Sequence, residues 1–94
     1  MRLLNEIWVR DTVYRVMMKR KLKPEMPGYT VFGYCDPSEH TIEILSSQPF
    51  VERLSTLVHE TLHAIEEEYG IKIGHEMIEK LERPIAQLLI DNFL

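Results

Sequence analysis

The sequence predicts an α+β domain in which a small antiparallel three-stranded sheet packs on two antiparallel helices. Three observations lead to this. Alternating β-branched and aromatic residues mark residues 7–45, and apolar residues at helical spacing run from 50 to 94. One short turn, YGIKIG (69–74), separates the two helical patterns. Ninety-four residues suffice for one modest core, so residues 1–94 are read as a single domain.

The elements follow in order. IWV (7–9) and TVYRVMM (12–18) read as strands flanking a turn at Arg10-Asp11, with Tyr14, Val16 and Met18 on one face. Leu3, Leu4, Ile7 and Trp8 also fit helical spacing, so a helix is the rival for the first segment. KPEMPG (23–28) is a loop. YTVFGYC (29–35) and TIEIL (41–45) bracket DPSEH as a hairpin, with Ile42 and Ile44 inward and Thr41 and Glu43 outward. Ser47 is a candidate cap and Pro49 a first-turn residue for the next helix, where Leu54, Leu57, Val58, Leu62 and Ile65 form the apolar stripe. Gly70 ends it. The last helix, HEMIEKLERPIAQLLIDNFL (75–94), repeats the pattern through Met77, Ile78, Leu81, Ile85, Leu88 and Leu89. So short a turn makes the two helices antiparallel.

Composition excludes more than it assigns. Eleven Lys and Arg against fifteen Asp and Glu give a net charge of −4, and the one basic run, MMKRKLK (17–23), reads as a solvated strand end. No nucleic-acid partner is expected. No apolar run approaches the ~20 residues of a membrane span, and MRLLNEIW is unlike a signal peptide, so no membrane partner is expected either. A lone cysteine, Cys35, fits a reducing compartment, and the expected location is the cytoplasm.

The chemistry concentrates in LVHETLHAIEE (57–67). His59 and His63 lie four apart, and both project roughly 120° or more from the centre of the apolar stripe. That spacing brings two rings to one ion. Glu60 follows His59 directly and can reach a water there without binding the ion itself. This is the H-E-x-x-H arrangement, in which zinc acidifies a water and the glutamate takes its proton. With four His and twelve Glu in the chain, its chance occurrence is roughly one in fifty, which favours the metal reading over a solvated histidine-bearing helix.

Catalytic zinc wants a third protein ligand. In a straight antiparallel hairpin centred near residues 71–72, Glu82 lies level with the histidine pair and Glu79 level with Ala64. His75 lies level with Glu68, several ångströms off unless the turn folds back. Glu82 also sits inside the apolar arc with Ile78, Ile85 and Leu89, where a carboxylate needs a partner. Glu79 and Glu76 look like a solvated face. Glu82 is therefore the expected third ligand, and His75 and Glu79 are the alternatives. His75 could instead donate to the carbonyl of a bound peptide, as could Tyr69, His40 or Tyr14.

With His59, Glu60, His63 and Glu82 in view, the chain resembles a minimal gluzincin-type zinc metallopeptidase. TLVHETLHAIEEEYGI followed by EMIEKLERPIAQLL is similar to the minigluzincins and to SprT-like and ImmA/IrrE-type proteins, many of them small and carried by phages or mobile elements. The likeness covers residues 29–94. It implies a zincin-like fold: a small sheet over the H-E-x-x-H helix and a glutamate-bearing helix, with zinc in a shallow cleft. It also implies a peptide lying extended along an edge strand. Three departures stand out. Ala86 occupies the place of an Asp that, in larger gluzincins, steadies a zinc histidine through its outer nitrogen, so Ser55 or a backbone carbonyl would have to serve. Glu66 stands where the metzincin glycine would be. No residues remain for a second subdomain over the cleft. Pro84, two residues after Glu82, is expected to kink the last helix.

The expected function is a zinc-dependent metalloendopeptidase acting on peptide or protein substrates, with Zn2+ held by His59, His63 and Glu82 and with Glu60 as general base. One rival is a non-catalytic binding or regulatory module that keeps zinc for stability. Another is a metal-free interaction domain whose apolar C-terminus, LLIDNFL, docks a partner or a second copy as a weak homo-oligomer.

Overall fold

The computed structural model describes residues 4–22 and 31–94. Strands β1 (Glu6–Val9), β2 (Thr12–Lys19), β3 (Gly33–Asp36) and β4 (Thr41–Leu45) precede helices α1 (Phe50–Tyr69) and α2 (His75–Asn92). The KPEMPG loop and the start of the YTVFGYC segment lie outside the described residues, as does Leu3. The architecture is α+β as expected, but the sheet is four-stranded and mixed. Its order is β1-β2-β4-β3, with β2 and β4 parallel and the other two pairs antiparallel. Ile7-Trp8-Val9 belongs to a strand, not a helix.

Burial accounts for this order. β4 is the most buried strand, with Ile42 and Ile44 fully buried, and it takes a central place that leaves β3 at the edge. Tyr14 and Val16 of β2 face the same core, while Met18 runs out into solvent. Thr41, expected to face outward, is buried as well. The Asp36 carboxylate closes the β3–β4 turn by accepting from the Ser38 and Glu39 backbone N–H groups and from the Ser38 hydroxyl.

Helix α1 lies between the sheet and α2, and α2 packs on α1 rather than on the sheet. Leu54, Leu57, Val58 and Ala64 are buried on α1, and Ile78 and Ala86 on α2. Pro49, not Ser47, takes the N-cap position of α1. The work at this end falls to Gln48, whose side chain donates to the Leu45 carbonyl and accepts from the Thr56 hydroxyl. Gly70 ends α1 in the left-handed conformation (φ 64°), which glycine adopts without cost. Pro84 stands inside a helix that continues to Asn92. No helix among the described residues is long and apolar enough to cross a membrane.

Two contacts hold α1 to the sheet. A Cβ built at Gly33 would stand 2.5 Å from Thr56 Cγ2 and 3.1 Å from Glu60 Oε2, so only glycine lets β3 come this close. At the other end, Glu68 accepts from the hydroxyls of Thr12 (2.8 Å) and the buried Tyr14 (2.7 Å).

Each contact yields an expected outcome. Thr56 is β-branched and tied to Gln48, so it cannot swing away. Gly33→Ala should cost about 1–3 kcal/mol, seen as a lower urea midpoint at unchanged m-value. The Glu68 carboxyl is held below its ordinary value, chiefly by the Tyr14 hydroxyl and then by Thr12. A depressed carboxyl stabilises the fold fully above its unfolded value of about 4.3, and this stabilisation fades as pH falls through the lower folded value. Thermal unfolding followed downward from about pH 6 should therefore show a steeper acid loss for the parent protein than for Glu68→Gln.

Candidate metal centre

His59 and His63 stand one turn apart on α1, with ring centroids 5.0 Å apart. The third member of the cluster is His75, the first residue of α2, whose centroid lies 5.0 Å from His59 and 5.5 Å from His63. Among the described residues, these three are the group whose ligand atoms all lie within 4.8 Å of one another. Glu82 is a neighbour outside the cluster. Its Oε2 lies 3.6 Å from His59 Nδ1 and 3.5 Å from the Ser55 hydroxyl.

His75 arrives because the turn folds back. A straight count from the turn sets Lys80 level with His63; the structure brings His75 there instead. The chain after Gly70 doubles along the last turn of α1, where the Ile71 N–H bonds the Glu66 carbonyl. The Ile73 and Gly74 N–H groups bond the Glu66 carboxylate at 2.8 and 2.9 Å. The same slip carries Glu82 past the pair, to the level of Ser55, and joins Arg83 to Glu52.

The outer nitrogens of the rings are placed against carboxylates. His63 Nδ1 lies 3.0 Å from Glu66 Oε1 and His75 Nε2 lies 2.8 Å from Glu79 Oε1, while Glu82 faces His59 Nδ1 at the longer distance given above. If the His63 and His75 hydrogens are donated to these carboxylates, His63 Nε2 and His75 Nδ1 present lone pairs to each other across 3.4 Å. Two lone pairs repel at that range unless a cation lies between them. A tetrahedral ion with metal–nitrogen bonds of about 2.0–2.1 Å spaces its ligands about 3.4 Å apart, which the His63–His75 pair matches, with His59 within 4.8 Å of both. Burial, followed by the neighbouring His63 and His75, holds His59 below its ordinary pKa, which favours the neutral form that a metal ligand needs.

Glu60 is 8% exposed and lines the cleft beside Gly33, His59 and Glu82. Burial above all, and then the charge of Glu82, pushes its carboxyl up to about 7. A second cleft also takes in His59, Glu60 and His75, and both clefts reach Val31 and Gly33 beside β3, the edge strand among the described residues. The other candidate donors lie elsewhere. Tyr14 is buried against Glu68, His40 stacks near the Tyr14 ring at 5.4 Å, and Arg10 covers Tyr69. Glu79, an alternative ligand in the sequence reading, and Glu66 each sit one helical turn from a histidine, at i+4 from His75 and i+3 from His63, and meet its outer nitrogen.

Compared with protein-family models, with curated proteins and with solved structures, the chain gave no match.

The geometry sets an expected order of losses in binding a divalent ion. His75→Ala, which removes a converging nitrogen, should weaken zinc binding by more than about 100-fold. Glu82→Ala should cost roughly 10-fold, the usual effect of losing a group that only orients a ligand. A competition titration with a chromophoric chelator measures both, and the reverse order would return Glu82 to the ion.

Proposed function

We propose that the protein is a metal-dependent peptide-bond hydrolase of the H-E-x-x-H kind, with His59, His63 and His75 as the zinc ligands, where a gluzincin would have a glutamate third, and with Glu60 as the general base. The observation that carries this reading is the convergence of three imidazoles beside a buried glutamate of raised pKa. His75 replaces Glu82 in the ligand set expected from spacing, and Glu82 becomes the group facing His59 Nδ1.

When bound, zinc would supply Lewis acidity, lowering the pKa of an attacking water to about 7 and polarising the scissile carbonyl. The chain's own residues supply the rest. Glu60 takes the proton of the attacking water and passes it to the leaving amine. A carboxyl near 7 suits both halves of that task, and a nearby cation draws it towards the ionised form that accepts a proton. β3, the edge strand of the sheet among the described residues, would pair with an extended peptide, which would place the scissile bond over His59 and Glu60.

A second reading is favoured by the position of the cluster. It bridges the end of α1 and the start of α2, so an ion there would staple the helices of a small domain without any turnover.

Glu60→Ala separates the two. The variant should keep zinc at the parent's stoichiometry and lose at least about 100-fold in cleavage of an unstructured protein substrate, while chelator abolishes the parent's activity and zinc restores it. Zinc binding with no cleavage by the parent would leave the stapling role, and no zinc binding at all would remove both.

A further inference from the structure

Glu66 occupies a place that neither the H-E-x-x-H motif nor the catalytic reading uses. It lies three residues after His63 on α1, and its carboxylate divides between two tasks. Oε1 meets His63 Nδ1 at 3.0 Å. Oε2 accepts from the N–H groups of Ile73 and Gly74, and its main-chain carbonyl accepts from Gly70 and Ile71. Gly74 is the N-cap of α2 (φ 94°), and the next residue is His75.

We propose that Glu66 is the positioning residue that assembles the three-histidine site, orienting His63 with one oxygen and delivering His75 with the other. The proposal rests on the metal-site reading above. Acceptance at Oε1 requires the hydrogen of His63 to sit on Nδ1, which leaves Nε2 as the lone pair facing His75 Nδ1 at 3.4 Å. Acceptance at Oε2 pins the folded-back turn, without which α2 would start level with Glu68 and His75 would miss the pair. One carboxylate thus couples the orientation of a ligand on α1 to the position of a ligand on α2.

Glutamine at this position tests the coupling. Its carbonyl oxygen can still accept from the turn, but its amide then presents hydrogens to His63 Nδ1. That face of the ring becomes the acceptor, and the hydrogen moves to Nε2, where it blocks the ion. Glu66→Gln should therefore fold and bind Zn2+ about 10- to 100-fold more weakly than the parent. Glu68→Gln, which alters the same acidic run through Tyr14 and Thr12, should leave zinc affinity within about twofold while lowering thermal stability.

A second readout needs no variant. Nitrogen-15 NMR of the metal-free parent, above the pKa of the ring, should find His63 as the Nδ1–H tautomer. Zinc bound equally well by parent and Glu66→Gln, or His63 found as the Nε2–H tautomer, overturns the positioning role while leaving the metal site standing. Failure of the parent itself to bind zinc overturns the site reading and this inference together.

Discussion

Helix α1 has little surface of its own to spare. The sheet packs on one side and α2 on another, so a helix of twenty residues carries buried positions on more than a single stripe. Ser55, Thr56 and Glu60 are buried on it alongside Leu54, Leu57 and Val58. Fully buried anchors stand on both flanks, with Tyr14, Ile42 and Ile44 in the sheet and Ile78 on α2. Each such side chain contributes about 1.5–3 kcal/mol of burial. Rotating α1 to relieve its polar residues would forfeit these contacts. The helix is thereby held in an orientation that keeps Glu60 under Gly33 and points His59 and His63 towards the start of α2.

A chain with an acidic surplus would ordinarily leave most of its carboxylates to water. Here the run Glu66-Glu67-Glu68 is divided by helical geometry. Residues two apart point about 200° from one another around the axis, so Glu66 turns to His63 and the α2 cap while Glu68 turns to β2. Glu67, between them, is exposed. The depressed pKa values of Glu66 and Glu68 have the same kind of origin. The Gly74 N–H acts first on the former and the Tyr14 hydroxyl first on the latter, each favouring the ionised form. Glu60 responds instead to its burial, in the opposite direction.

The place of β3 at the edge of the sheet, among the described residues, and the histidine cluster are consequences of separate choices that meet near Gly33. Strand order exposes β3, and the missing Cβ lets that edge lie against Thr56 and Glu60. A larger residue would hold strand and helix apart and move β3 away from Glu60.

The sequence by itself determined the α+β class, the two helices with their Gly70 break, and the pairing of His59 with His63 beside Glu60. These are properties of neighbours within one element: alternation in a strand, stripes and i, i+4 spacing on a helix. Spacing alone also makes Glu66 and Glu79 visible as partners for histidines, once the histidines are known to need them. The tertiary structure alone decided that β2 runs parallel to β4, the most buried strand taking a central place and its hairpin partner the edge. It also decided that His75, not Glu82, joins the pair. That choice depends on the register of α2 against α1, which follows from two backbone N–H groups finding the Glu66 carboxylate seven and eight residues away. No periodicity records a bond across a turn, so the third member of the cluster became legible only when the turn was seen to fold back.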